Sequence, residues 1–300
     1  MRTVTSSLVI LLALAATPCL ALLAAKQTAP GTDIFLADLD LASSPPTLGA
    51  PRNLTSRRGY DNQPHFEPEG GGLLYTSQRD EQTDIFRVDL SSGRHTQITA
   101  TPESEYSPHV VWPANEDMSV VRVESDGTQR LWAFRRDGTS PRLLFPDIAP
   151  VGYHAWNQYG SLILFILGEP PTLQLADPYT NTVTTVAQDI GRSLQARRDP
   201  DFFSFLHRDG DDWVIRLVKP SNGAVFELVE ALSGSQDLAW TPDGRMLMAT
   251  GSQVFVRDPF QDDAWIQAAD LSAAGIGSIT RLAVSPSGDQ IAFVSDNVDS

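Results

Sequence analysis

The sequence predicts an all-β chain, a six-bladed β-propeller with four-stranded blades whose last blade is closed by strands from the N-terminus. Three observations carry this. Thr32-Asp33-Ile34-Phe35-Leu36-Ala37-Asp38-Leu39 is echoed by Thr83-Asp84-Ile85-Phe86-Arg87-Val88-Asp89-Leu90, and each leads after a turn into Asn53-Leu54-Thr55 or Gln97-Ile98-Thr99. Phe66, Val111, Trp156, Arg198, Trp240 and Val284 stand 45, 45, 42, 42 and 44 residues apart, a period that suits one four-stranded blade per repeat. The ends are incomplete in complementary ways. Thr32 to Thr55 supplies a third and fourth strand, and the repeat running to Ser300 supplies a first and second. Joined, they leave no open sheet edge.

Ahead of the repeats, Arg2 precedes an apolar run from Leu8 to Ala16 and the break Thr17-Pro18-Cys19-Leu20-Ala21. This is the layout of a secretory signal with a cut after Ala21, although apolar residues resume from Leu22 to Ala25 as in a retained anchor. Residues 1–25 are therefore expected to be a signal peptide or membrane anchor, and 26–300 a single domain. Cys19 raises lipidation, but Ala16 and Pro18 stand where a lipoprotein signal wants Leu and Gly or Ala. It is the one cysteine of the chain, so its removal leaves no disulfide, thiol chemistry or thiolate zinc site. The expected location is periplasmic or secreted.

Within each repeat, the anchor residue ends a first strand and a turn follows. These turns are Pro68-Glu69-Gly70, Pro113-Ala114-Asn115, Gln158-Tyr159-Gly160, Pro200-Asp201, Pro242-Asp243-Gly244 and Pro286-Ser287-Gly288. Proline pre-sets the first turn dihedral, and glycine accepts the positive φ of a tight hairpin. The second strands are almost wholly apolar, as in Leu162-Ile163-Leu164-Phe165-Ile166 and Ile291-Ala292-Phe293-Val294, which predicts burial on both faces between blades. Third strands alternate more, as in Ile85-Phe86-Arg87-Val88 and Val254-Phe255-Val256-Arg257. Outer strands such as Gln97-Ile98-Thr99 and Arg142-Leu143-Leu144 are weak, as edge strands usually are.

Hydrophobic residues make up 41% of the 300, enough for a packed core. A net charge of -15 opposes nucleic-acid binding, which needs a basic face, and adsorption to anionic membranes. Any membrane contact is expected only through the N-terminal segment, and the ring is expected to be monomeric.

The pattern Pro-x-aromatic-x-Pro-Asp/Glu-Gly, then Leu-Tyr-Thr-Ser, Asp-Ile-Phe-x-x-Asp-Leu and Leu/Ile-Thr resembles the WD40-like (PD40) repeat of the TolB-type propellers. It is clearest over 63–99, good over 236–258 and 280–295, and degenerate in the middle blades. The resemblance implies a TolB-like six-bladed ring. Repeats of this type occur in periplasmic scaffolds, peptidase-associated propellers and some lyases, so they imply a fold more than an activity. TolB carries a further N-terminal α/β domain, which is expected to be missing here because only about ten residues separate a cut after Ala21 from Thr32.

First strands line the channel of a propeller, and the loops entering them rim one mouth. Residues just ahead of each anchor give the candidate ligand-binding set: Gln63, Glu105, Tyr106, His109, Tyr153, His154, Arg192, Gln195, Asp237 and Arg281. So mixed a set in a narrow space suits a polar small ligand or a peptide end. The competing reading is a wet channel wall whose groups water satisfies.

His65, His109 and His154 fall near corresponding places in three consecutive blades, where imidazoles could ligate a divalent metal with Glu105 or Asp237. His65, however, is one residue out of step, which on an alternating strand turns it away from the channel. His95 and His207 are expected to be structural. No Gly-x-Ser-x-Gly elbow or phosphate loop occurs, Asp209-Gly210-Asp211-Asp212 lacks the later ligands of a calcium loop, and Asn53-Leu54-Thr55 coincides with the repeat's own Leu-Thr ending. No catalytic residue, resident metal or cofactor is therefore assigned. The expected function is a propeller that binds a periplasmic protein or a small polar ligand at its channel mouth. The alternative is a metal-dependent lyase or hydrolase acting on an acidic sugar or lactone.

Overall fold

The computed structural model describes residues 31–111, 117–197 and 202–296. The leader or anchor at 1–25 with Cys19, the turns Pro113-Ala114-Asn115 and Pro200-Asp201, the anchor Arg198, and Ser300 lie outside the described residues. Six antiparallel sheets form the ring, numbered here as blades from the N-terminal side. From the inner strand outwards, blade 1 consists of Asp61–Phe66, Gly72–Arg79, Gln82–Asp89 and His95–Gln97. Blade 2 has Ser104–Val110, Asp117–Val123, Gln129–Arg135 and Arg142–Leu143, and blade 3 Val151–Trp156, Leu162–Ile166, Thr172–Asp177 and Thr182–Gln188. Blade 4 has Ile190–Ala196, Phe203–Asp209, Asp212–Val218 and Val225–Glu230, and blade 5 Leu238–Trp240, Met246–Thr250, Gln253–Arg257 and Ile266–Asp270.

Blade 6 is assembled from both ends of the chain. Ile279–Val284 and Gln290–Asp296 supply its inner half, and Thr32–Asp40 its third strand. The seam pairs Ile34 with Val294, Phe35 with Phe293 and Leu36 with Ala292. The outer position is shared by two short strands, Thr47–Leu48 and Arg52–Asn53, both against Thr32–Asp40.

The core consists of clusters lying between neighbouring blades. Phe35, Leu247 and Phe293 pack blades 5 and 6, while Ile34, Tyr75 and Phe86 pack blades 6 and 1. Leu74, Met118 and Phe134 join blades 1 and 2, and Val121, Trp156 and Leu164 join blades 2 and 3. Ile163, Phe165 and Phe205 join blades 3 and 4, and Leu206, Met246 and Met248 join blades 4 and 5. Strand periodicity explains the apolar second strands. In the fully buried Leu162–Ile166, Leu162, Leu164 and Ile166 enter one interface while Ile163 and Phe165 enter the other.

The repeated Leu/Ile-Thr ending has a structural task. The Thr55 hydroxyl accepts the Ile34 N–H at 3.0 Å, and Thr99 accepts the Ile85 N–H at 2.8 Å. A side chain thus satisfies a third-strand donor where the short outer strand does not. The expected outer strand Gln97-Ile98-Thr99 accordingly sits earlier, at His95–Gln97. Outer strands are not uniformly weak: Thr182–Gln188 runs seven residues, carried by its β-branched Thr and Val.

Candidate functional site

The inner edge of each inner strand has no neighbouring strand, so its N–H groups need other acceptors. Side chains of the preceding blade provide them. His65 Nε2 accepts the Val110 N–H at 3.3 Å, Ser193 Oγ the Leu238 N–H at 3.0 Å, and Asp237 Oδ1 the Leu282 N–H at 3.1 Å. Each reach spans 45 residues, one repeat. Gln63 Oε1 similarly accepts the Ser107 N–H at 2.9 Å together with the Thr76 hydroxyl.

The inner strands of blades 1, 2, 3, 4 and 6 carry register shifts, between Asn62/His65, Tyr106/His109, Val151/Tyr153, Ile190/Leu194 and Ile279/Arg281. Gln63 and Ser107, inside two of these bulges, take positive φ values of 57° and 53°. A bulge re-aims the side chains beside it and breaks the strict alternation of a strand.

Together these strands enclose a channel cavity of 260 Å³. Of the candidate set, Gln63, His109, Tyr153, His154, Arg192, Gln195, Asp237 and Arg281 line it, along with His65, Ser193 and Trp240. Its polar end is organised around Arg281. That guanidinium donates to Asp237 Oδ2 at 3.2 Å and to the Tyr153 hydroxyl at 2.9 Å, and its carbon lies 5.0 Å from the Tyr153 ring centre. Burial pushes the Asp237 carboxyl up, and Arg281 and Arg192 draw it back. Arg192 donates to the Thr280 carbonyl at 2.9 Å, while its Nε has no partner. Burial and the nearby Arg281 charge both disfavour the Arg192 cation. Tyr60 belongs to the same group. Burial raises its hydroxyl well above the ordinary value, and it feels the charges of both arginines.

Deeper in the channel the three histidines form a row. The His65 and His109 ring centres are 4.4 Å apart, and those of His109 and His154 are 4.7 Å apart. His65 therefore does not turn away as its sequence offset predicts, because the bulge at Asn62/His65 resets the alternation. His154 Nε2 lies 2.7 Å from Ser119 Oγ, which also accepts the Trp156 indole N–H at 2.8 Å. Burial lowers all three imidazoles, His65 to about 4, His154 to about 3 and His109 well below its usual value. They are neutral at pH 7. Among the described residues no group of three or more His, Cys, Asp or Glu is arranged to hold a metal ion.

Two candidates lie elsewhere. Tyr106 does not line the cavity; it packs against the cluster between blades 2 and 3 while staying near enough to Tyr60 to influence its hydroxyl. Glu105 is fully buried, taking the Arg122 Nε–H at 3.0 Å and the Thr101 hydroxyl at 2.5 Å. Asp84 on blade 1 is close enough for the two carboxyls to shift each other's titration, and Asp84 Oδ1 and Glu105 Oε2 are both buried without a hydrogen-bond partner. Burial pushes Glu105 up to about 7, with Asp84 adding to the rise and Thr101 and Arg122 opposing it. The bulge at Tyr106/His109 separates both residues from the parity that the sequence offset assumes.

Tyr60 and Ser119 were not legible as channel-associated groups. The signal available for Ser119 was a lone hydroxyl inside the apolar run Met118-Ser119-Val120-Val121, where burial demands a polar partner.

No protein-family profile matches the chain, and no curated protein is similar enough to count as a relative. Solved structures do match in fold. A structure assigned as TolB from Agrobacterium tumefaciens aligns with a TM-score of 0.70 at 14% identity, over 90% of this chain and 99% of that one. TolB from Acinetobacter baumannii aligns with a TM-score of 0.57 at 15% identity, over 88% of this chain and 64% of that one. A structure assigned as a gluconolactonase aligns with a TM-score of 0.60 at 11% identity, over 82% and 91%. In architecture the chain is a six-bladed propeller of the kind found in TolB.

Proposed function

We propose that this chain is an exported TolB-like propeller that works as a binding module, taking a partner-protein segment or a small polar ligand at its channel mouth. The observation that carries this reading is the polar end of the cavity. Tyr153, Arg281 and Asp237 hold one another in place, while Arg192 Nε beside them is left without a partner. Donors held rigid before a ligand arrives cost little to order on binding. The leader-like sequence at 1–25 supports export.

The test compares wild type with Arg192→Gln and Tyr153→Phe in partner capture from a periplasmic fraction and in thermal-shift screening of polar metabolites. Partners or ligands that depend on these two residues support the mouth site. Recovery that is unchanged in both variants, with no residue-dependent ligand, removes it.

A second reading is a metal-assisted lyase or hydrolase acting on an acidic sugar or lactone. It is supported by the fold shared with the gluconolactonase-assigned structure and by three histidines on the cavity wall. It expects stoichiometric manganese, zinc or calcium in the purified protein, and elemental analysis showing only traces overturns it.

A further inference from the structure

We propose that the polar end of the channel is a carboxylate site, in which an acid group of the ligand sits against Arg192 and the Arg281–Tyr153 pair and completes a balanced set of charges. This rests on the binding-module reading and names the chemistry that the module recognises.

The first support is the local charge. The chain carries -15 overall, yet this end of the cavity gathers two guanidiniums around one carboxylate. The adjacent histidines are neutral at pH 7 and add nothing. A surplus cation in a low-dielectric pocket is costly, and an anion placed beside it is the direct remedy. On so acidic a protein, the surplus is opposite to what the bulk surface offers.

The second support is the state of the two arginines. Arg281 is held at both terminal nitrogens, one on Asp237 and one on Tyr153, so its charge is fixed in place. Arg192 is held by one nitrogen on the Thr280 carbonyl, and its Nε is buried without a partner. Asp237 gives its two oxygens to the Arg281 guanidinium and the Leu282 N–H and makes no hydrogen bond to Arg192. The Arg192 side chain lines the cavity and is only partly satisfied, and a guanidinium matches carboxylate geometry through charge-assisted bonds, which are the strong ones.

The third support is size. At 260 Å³ the cavity is smaller than pockets that take drug-sized ligands, so it admits a small acid or the tip of a chain. A peptide C-terminus and a free sugar acid share this chemistry.

The experiment measures binding to the full mature chain in carboxylate-free buffer. The probes are N-acetyl-dialanine with a free C-terminal carboxylate, the same peptide as its amide, and D-glucuronate. The expected result is that at least one carboxylate binds, and that the peptide acid, where it binds, exceeds its amide by about tenfold or more. Arg192→Gln should weaken carboxylate binding by a similar factor while its melting temperature without ligand stays near wild type. The arm that responds identifies the source, peptide end or free acid. Equal binding of peptide acid and amide without binding of glucuronate overturns the proposal, as does a lack of response to both carboxylates in wild type. Because these comparisons use wild type, a poorly folded variant does not rescue it. If the carboxylates fail while partner capture still depends on Arg192 and Tyr153, the carboxylate site is wrong and the binding module stands.

Discussion

Phe35 stacks on Phe293 across the seam where the two ends of the chain meet, with ring centres 5.5 Å apart and planes 8° from parallel. The residues are paired partners in the ladder and belong to the cluster joining blades 5 and 6. Ring closure therefore depends on a contact between residues 258 positions apart in the chain. Phe293→Ala removes a fully buried ring at this join and is expected to cost about 3–5 kcal/mol. Urea unfolding monitored by tryptophan fluorescence reads the loss. A cost below about 1 kcal/mol would show that the seam contributes little to the ring.

The Arg281–Asp237 pair is mostly buried, with side-chain exposures of 13% and 11%. Arg281→Met leaves a buried carboxylate without its main partner and is expected to destabilise by about 3–5 kcal/mol. Adding Asp237→Asn removes the stranded charge and keeps an acceptor for the Leu282 N–H, so the double variant should recover most of the loss. Chemical denaturation of the four proteins in the cycle checks this. Strict additivity of the two single effects would mean that the pair is not coupled.

The ring was legible in the sequence because its determinants are periodic. Apolar second strands, proline–glycine turns and the Asp-Ile-Phe and Leu/Ile-Thr signatures recur at one spacing, and complementary half-blades predict the seam that Phe35 and Phe293 close. The channel was only partly legible. Tyr153, Arg192, Asp237 and Arg281, chosen by their offsets from the anchors, line one cavity. Glu105 and Tyr106 do not line that cavity and His65 does, because the inner-strand bulges break the two-residue alternation that an offset assumes. Nothing in a local window announces such a bulge. Links between blades escape notice for a related reason: Ser119 matters through His154 and Trp156, more than thirty positions away.

Ser119→Ala tests that link directly. Its hydroxyl serves two buried ring nitrogens, on His154 and Trp156, and alanine would leave both without a partner. A loss of about 2–4 kcal/mol is expected, at the upper end for a single hydroxyl, because the cost is desolvation of two orphaned groups. Ser204, which accepts the Trp240 indole N–H at 2.8 Å, is the internal comparison with one ring nitrogen at stake, and Ser204→Ala should cost about half as much. Equal losses would mean that His154 draws nothing from Ser119.

Two buried groups should give opposite slopes of stability with pH. Glu105, raised from 4.5 to about 7 in the folded protein, binds more protons folded than unfolded between those values. Its stabilising effect is therefore present below about pH 4.5 and lost as pH rises through 7. The histidine row acts in reverse. Imidazoles lowered from 6.5, His65 to about 4 and His154 to about 3, bind fewer protons folded, so stability is lost as pH falls from 6.5 through those values. Single replacements separate the two. Glu105→Gln removes the titrating carboxyl while keeping its shape, and its stability relative to wild type should rise by on the order of 1–3 kcal/mol between pH 5 and pH 8. His109→Gln removes one lowered imidazole, so its stability relative to wild type should rise as pH falls from 6.5 to 4.5. Denaturation midpoints collected across this range decide the matter. A Glu105→Gln curve parallel to wild type would mean that Glu105 takes up no extra proton on folding.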